Sequence, residues 1–374
     1  MVLAINTIPF LKEGKEDDFF YETFSRIIRA HPEHTFIFIS EYSSNLFPSS
    51  QNVIDANIGA APKHHLSLLI WFHFKIKKIL KEYKTDIFIS KGICFLTSKM
   101  PQILIAPDVS FTYPPSFVSK KNTPFYKKAT SLFFKKAETI ITFSEFEKTA
   151  ILKKDKIEPD KIKVIYRGIN ETDNAINFQE REEIKNKYSD GNEYFLYPET
   201  ISSQNNLINL LKAFSAFKKR QRSSMQLIIA GKPGKDFNEF SKSLELYKFK
   251  KEVKLFPDLP SKEIEKIIAS SYAIVYPVIC AASTTMLLKA MKNEIPLLVS
   301  SADTMPEICA DSALYFSPEN YKDIAEKLML IFKDEKLRKE LIEKGKELTK
   351  KYNWNESAEL LWKTIEAVEI KNKK

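Results

Sequence analysis

Tyr194-Phe195-Leu196-Tyr197, then helical spacing from Leu207 to Lys219, then Gln226-Leu227-Ile228-Ile229-Ala230, is the stretch whose reading decides the fold. A short continuous apolar run, a helix and a second such run form one strand-helix-strand unit. Continuous rather than alternating apolar residues suit parallel strands buried on both faces. Working outward, the same alternation covers nearly the whole chain. Towards the N-terminus the runs are Val2–Ile8, Thr35–Ser40, Asp86–Ser90, Gln102–Ala106, Thr139–Ser144 and Lys163–Tyr166. Towards the C-terminus they are Val253–Phe256, Ala273–Tyr276, Leu297–Ser300 and Ala313–Phe316. Helical spacing falls between them at Tyr21–Arg29, Leu66–Lys81, Lys262–Ala269 and Tyr321–Phe332. The reading is α/β, with two Rossmann-like, doubly wound parallel sheets of about six strands each facing across a cleft.

The polar stretch Asn170–Gly191 reads as the linker. It divides the chain into a domain over 1–170 and a domain over 171–353. A last helix, 354–370, carries Leu360, Leu361, Trp362 and Ile365 on one face and is expected to pack back on the first domain.

Composition sets the bounds. The 374 residues suit two domains, and 44% hydrophobic residues supply two cores. Cys94, Cys280 and Cys309 lie scattered in apolar runs, which argues against a disulfide framework or a zinc set and for a reducing compartment. The N-terminus begins like a strand rather than a signal peptide, and no apolar run approaches about 20 residues. The expected location is cytoplasmic. The net charge of +10 comes without a nucleic-acid-binding motif. Lysines and aromatics mix in Trp71–Lys78 and again from Phe125 to Lys136. Such a face either rests on the anionic inner surface of a membrane or keeps its aromatics in the core and its lysines in water.

Several segments go beyond pattern. Ala4-Ile5-Asn6-Thr7, His31-Pro32-Glu33-His34, Ser144-Glu145-Phe146 and Ile165-Tyr166-Arg167-Gly168 resemble the first domain of family 4 glycosyltransferases. Ile229-Ala230-Gly231-Lys232, Thr304–Ala313 and Tyr352-Asn353-Trp354 resemble the second. The resemblance runs in order along essentially the whole chain. It implies the GT-B fold and transfer of a sugar from a nucleotide donor with retention, with no metal and no cofactor beyond the donor. It also implies a glycan or lipid-linked acceptor.

Carried over residue by residue, the family's donor-cleft positions fall on altered residues. The glycine loop after the first strand reads Lys15-Glu16-Asp17-Asp18, acidic where a phosphate would need close backbone. The His-Asp pair reads Pro107-Asp108. The Arg-Lys-Asn that meets the diphosphate reads Gln204-Asn205-Asn206, within Glu199-Thr200-Ile201-Ser202-Ser203 onward. A cation about 4 Å from a phosphate oxygen is worth about 4 kcal/mol at an effective dielectric near 20, so its loss matters. Asn206 is expected to cap the next helix. The paired glutamates that hold donor sugar and ribose fall on Ala281 and Lys289, with Thr284 and Thr285 between them. Alanine accepts no hydrogen bond and lysine only donates. Lys232 reads either as an anion contact or as a surface lysine. Ser144-Glu145 reads as a helix cap, Pro306-Glu307 as structural, and the five histidines as surface or loop residues.

Two readings stand ahead of a third, in which Gln204, Asn205, Thr284 and Lys289 form a new site for a different activated sugar. One is a transferase of cell-surface polysaccharide synthesis. The other is an inactive homologue that binds a glycan or lipid carrier, or positions an active glycosyltransferase.

Overall fold

The computed structural model describes residues 1–8, 18–41, 47, 50–62, 65–106, 123–170, 176–202, 205–279 and 284–373. The chain divides into two compact units, 1–168 with 354–374, and 169–353.

The first unit contains β1 (Val2–Asn6), α1 (Asp18–Ala30), β2 (Thr35–Ser40), β3 (Val53–Asn57), α2 (His65–Glu82) and β4 (Ile87–Lys91). It continues with β5 (Gln102–Ile105), α3 (Thr123–Lys136), β6 (Thr139–Thr142), α4 (Glu145–Lys154) and β7 (Ile162–Val164). The strand order is β3-β2-β1-β4-β5-β6-β7, all parallel. Side chains alternate across the sheet. Leu3 and Ile5 meet Phe19, Phe24 and Ile27 of α1 on one face. Ala4 faces the other side, with Phe72 and Ile76 of α2 and Phe133 of α3.

The sheet has seven strands, and the additional one is β3. As an edge strand it is only partly buried, so Val53-Ile54-Asp55-Ala56-Asn57 lacks the apolar run that marks its neighbours.

The second unit contains α5 (Phe178–Ser189), β8 (Tyr194–Tyr197), α6 (Leu207–Gln221), β9 (Gln226–Gly231), α7 (Phe237–Glu245), β10 (Val253–Pro257), α8 (Ser261–Ala269) and β11 (Ala273–Tyr276). It ends with α9 (Thr285–Lys292), β12 (Leu297–Ser300), α10 (Met305–Cys309), β13 (Ala313–Phe316), α11 (Tyr321–Lys333) and α12 (Glu335–Thr349). Its order is β10-β9-β8-β11-β12-β13, again all parallel. The polar stretch Asn170–Gly191 is not wholly a linker, because α5 occupies half of it. Asn177 and Glu180 close a capping box at its start. Ile184 and Tyr188, four apart, are buried together with Lys185 and Ser189, while most of the other residues are charged or polar, so the segment reads as loop.

After the second unit, α13 (Trp354–Lys373) returns to the first and packs on α1. Trp354, Ala358, Leu361, Trp362, Ile365 and Val368 are buried there. Leu360, placed on the same face by sequence, is instead exposed. Residues 354, 358, 361, 365 and 368 make a stripe of three- and four-residue steps, and 360 lies off it.

Candidate functional site

In an open parallel sheet, ligands bind beyond the carboxyl ends of the strands, where the strand order reverses. In the second unit that reversal lies between β8 and β11. Fully buried Tyr197 ends β8, and its hydroxyl donates to the Thr200 carbonyl at 3.0 Å. Burial, and then the charge of Glu199, hold this phenol well above its ordinary pKa, so it is a neutral donor. Glu199 is itself buried and accepts from the Thr200 backbone N–H at 2.9 Å and the Thr200 hydroxyl at 3.2 Å. Asn205 spends its amide on the same Thr200 carbonyl at 2.6 Å. Gln204 lies outside the described residues.

The loop rests on the turn after β9. The Ile201 N–H donates to the Lys232 carbonyl at 2.8 Å, and the Gly234 N–H donates to the Ile201 carbonyl at 2.9 Å. The Lys232 side chain is exposed at that strand end.

Asn206 departs from the reading of it as a helix cap. It makes no side-chain cap bond and takes a left-handed backbone at φ 63°. Its amide instead donates to the carbonyls of Pro277 at 3.0 Å and Pro318 at 2.6 Å. One side chain thereby ties together the turns that follow β8, β11 and β13. Asparagine suits the position because it tolerates left-handed backbone and carries two N–H donors. Asn206→Ala is expected to lose both bonds and keep the strain, costing about 2–3 kcal/mol. Asn206→Gly relieves the backbone and costs about 1 kcal/mol less. Asn206→Asp presents only acceptors to two carbonyls and is expected to be the worst of the three. Chemical denaturation of the three variants checks the order.

Across the switch point, Thr284 stands at the start of α9 without a side-chain cap bond, and Thr285 is buried. Ala281 lies outside the described residues. One turn into α9, Lys289 reaches the carboxylate of Glu265 on α8 in a close ion pair. Sequence reading placed Lys289 but passed over Glu265. Nothing in Ser261–Ala269 distinguishes one acid of an amphipathic helix from another.

In the first unit, Lys15, Asp17 and Asp108 fall outside the described residues. At the corresponding strand ends, buried Asn6 donates to the Ser90 hydroxyl at 3.0 Å and the Ile8 carbonyl at 3.1 Å, joining β1 to β4. Ser144 caps α4, accepting from the Glu147 N–H at 3.1 Å. Cys94 and Cys309 are buried thiols. Burial pushes Cys309 up to about 12 and Cys94 further still, so neither is a nucleophile at neutral pH. Cys280 lies outside the described residues.

The basic-aromatic face of α2 divides between the two readings of it. Phe72 and Ile76 are in the core, whereas Ile70 and Phe74 are 54% and 72% exposed among Lys75, Lys77 and Lys78. Beside them a groove of about 510 Å³ runs between α2 and α3, lined by Leu69, Phe72, Phe95, Leu96 and Leu132, with Lys128 at its edge. Leu96 and Leu132 are also exposed. No helix among the described residues is long and apolar enough to cross a membrane.

Comparison with known proteins places this architecture. Residues 29–173 match the family model Glycosyltransferase Family 4, and residues 178–348 match Glycosyl transferases group 1. The O-antigen chain mannosyltransferase RfbU of Salmonella typhimurium is 26% identical over 215 residues, which are 57% of this chain and 55% of that protein. Among solved structures, sucrose-phosphate synthase from Thermosynechococcus elongatus superposes with a TM-score of 0.78 at 12% identity, covering 98% of both chains. Anabaena HepE in complex with UDP and glucose superposes with a TM-score of 0.75 at 12% identity, covering 98% of this chain and 100% of that one. With both sheets parallel and both halves matched, the chain belongs to the family 4 glycosyltransferases of the GT-B fold.

Proposed function

We propose that this protein serves in the assembly of a cell-surface polysaccharide without itself transferring sugar from a nucleotide donor. It holds a glycan or lipid-linked saccharide for an active glycosyltransferase. The observation that carries this reading is the Lys289–Glu265 pair. At Lys289 the family holds a ribose through a carboxylate, which accepts from both hydroxyls. An ammonium has no lone pair to offer them, and this one is already engaged by a carboxylate. The neighbouring amides of Asn205 and Asn206 are likewise committed to backbone carbonyls rather than to a diphosphate. The setting in polysaccharide assembly is supported by RfbU, whose name places it in O-antigen synthesis. No metal or cofactor enters this role.

Calorimetric titration with UDP, GDP, UDP-glucose and GDP-mannose tests it. No binding tighter than about 1 mM is expected. Micromolar binding of any of the four overturns the proposal and supports a second reading, a nucleotide-sugar transferase. HepE favours that reading, because the same fold holds UDP and glucose there.

The protein works, on this reading, at the inner face of a membrane. Phe74 and Ile70 enter the lipid boundary while Lys75, Lys77 and Lys78 meet anionic headgroups. Phe74→Ser is expected to reduce partitioning onto phosphatidylglycerol vesicles about thirtyfold, since a buried phenylalanine contributes roughly 2 kcal/mol. Co-sedimentation checks this, and binding should also weaken in 0.5 M salt as screening shortens to about 4 Å. Unchanged sedimentation of the variant would remove α2 from the interface.

A further inference from the structure

At the other end of the first sheet, the turn between α1 and β2 reads His31-Pro32-Glu33-His34. It brings three metal-ligating side chains together. The Glu33 Oε1 atom is 3.6 Å from His31 Nδ1 and 3.2 Å from His34 Nε2. One ligand atom from each of the three residues lies within 4.8 Å of the other two. Bonds of about 2.0–2.1 Å to a tetrahedral zinc ion put its ligands about 3.3 Å apart, so two of the three separations already match. The third closes with a small rotation of an imidazole.

The turn is backed rather than loose. The His31 ring stacks on Trp362 of α13 at 3.8 Å between centroids, and the His34 ring lies over the same indole at 5.1 Å. The Nδ1 atom of His34 is 3.1 Å from the Met1 amino nitrogen, which leaves Nε2 as the nitrogen turned to Glu33. Trp362 is buried, and its indole N–H has no acceptor among the described residues.

We propose that His31, Glu33 and His34 form a binding site for a zinc-type divalent ion. Two imidazoles and one carboxylate suit zinc, nickel or copper and disfavour calcium or magnesium. The site sits just before β2 begins, whereas Asn6 and Ser90 mark the opposite, carboxyl ends of the strands. It is therefore separate from any sugar chemistry and independent of the function proposed above. Its effect is to fix the α1–β2 turn against α13, the helix that completes the first unit.

Untagged, metal-stripped full-length protein titrated with Zn²⁺ is expected to bind one ion, and the thermal midpoint should rise with zinc concentration. Ni²⁺ should quench the emission of Trp362, which lies against a ligand. In the double variant His31→Ala/His34→Ala, zinc affinity should fall by about tenfold or more, as it should in the conservative Glu33→Gln. In Trp362→Phe, zinc still binds but the nickel quench is lost. A flat wild-type titration overturns the site. So does wild-type affinity in both ligand variants, or a quench that persists without Trp362.

Discussion

Gly231→Ala is expected to unfold the second unit at temperatures where the parent is stable. Gly231 ends β9, and its backbone lies against the turn after β8. A Cβ placed there would stand 2.0 Å from the Glu199 carbonyl oxygen and 2.5 Å from its carbon. Both atoms are backbone, so no side-chain rotation relieves the clash. Either β9 or the turn at Glu199 must move, and the turn is held by bonds from Ile201 and Gly234 to the same loop. Overpacking a core by a methyl group commonly costs 1–3 kcal/mol, and a backbone-to-backbone clash belongs at or above the top of that range, about 3 kcal/mol. Gly345→Ala is the control. There the nearest atom is the Met291 side chain at 3.2 Å, which can yield, and alanine favours the helix by up to about 1 kcal/mol. Thermal melts should show a large loss for the first variant and little change for the second. Equal melting of Gly231→Ala and parent would mean that the two loops are not in contact.

Removing α13 should be more damaging than its distance in sequence from the first unit suggests. A chain ending at Asn353 leaves Phe19, Phe24 and Ile27 of α1 without the surface that covers them. At roughly 1.5–3 kcal/mol for each fully buried large side chain, Trp354, Leu361 and Ile365 together contribute about 5–9 kcal/mol. Domain stabilities are about 5–15 kcal/mol, so the loss is comparable to the whole. Polar contacts go as well. The Arg26 Nε donates to Asn355 at 2.8 Å, and the Ser357 hydroxyl donates to the Tyr166 carbonyl at 2.7 Å. The truncated protein is expected to lose the unfolding transition of its first unit in calorimetry while keeping that of the second. Leu361→Ala, at a fully buried site, should destabilise the first unit by about 2–5 kcal/mol. A truncated chain with both transitions intact would show that α13 contributes no stability.

The strands buried on both faces were the legible part of the fold. Tyr194–Tyr197, Ala273–Tyr276 and Leu297–Ser300 are largely apolar runs buried throughout, and each is a strand with those bounds. Elements with one wet face were harder. β3 sits at a sheet edge, and Ile184 and Tyr188 are the only apolar residues that α5 buries. In the site, local chemistry was legible at Ser144, where the cap and its acceptor geometry lie within one turn. Asn206 was misread because its partners, Pro277 and Pro318, are 71 and 112 residues away, and no local pattern reports them. Glu265 escaped for the same reason. Its meaning comes from Lys289 on the next helix, 24 residues later.

The return of α13 to the first unit fixes an order of events during translation. Every strand of that unit leaves the ribosome before residue 169, yet the helix that covers one face of its sheet follows the entire second unit. At about 5–20 residues per second, the ribosome takes roughly ten to forty seconds to make the intervening segment. Over that interval the nascent chain carries an uncovered patch around Phe19 and Phe24. The second unit, contiguous from Ile169 to Asn353, can mature first. The segment synthesised first is thus the last to reach its native state, and a holdase chaperone would find its client there.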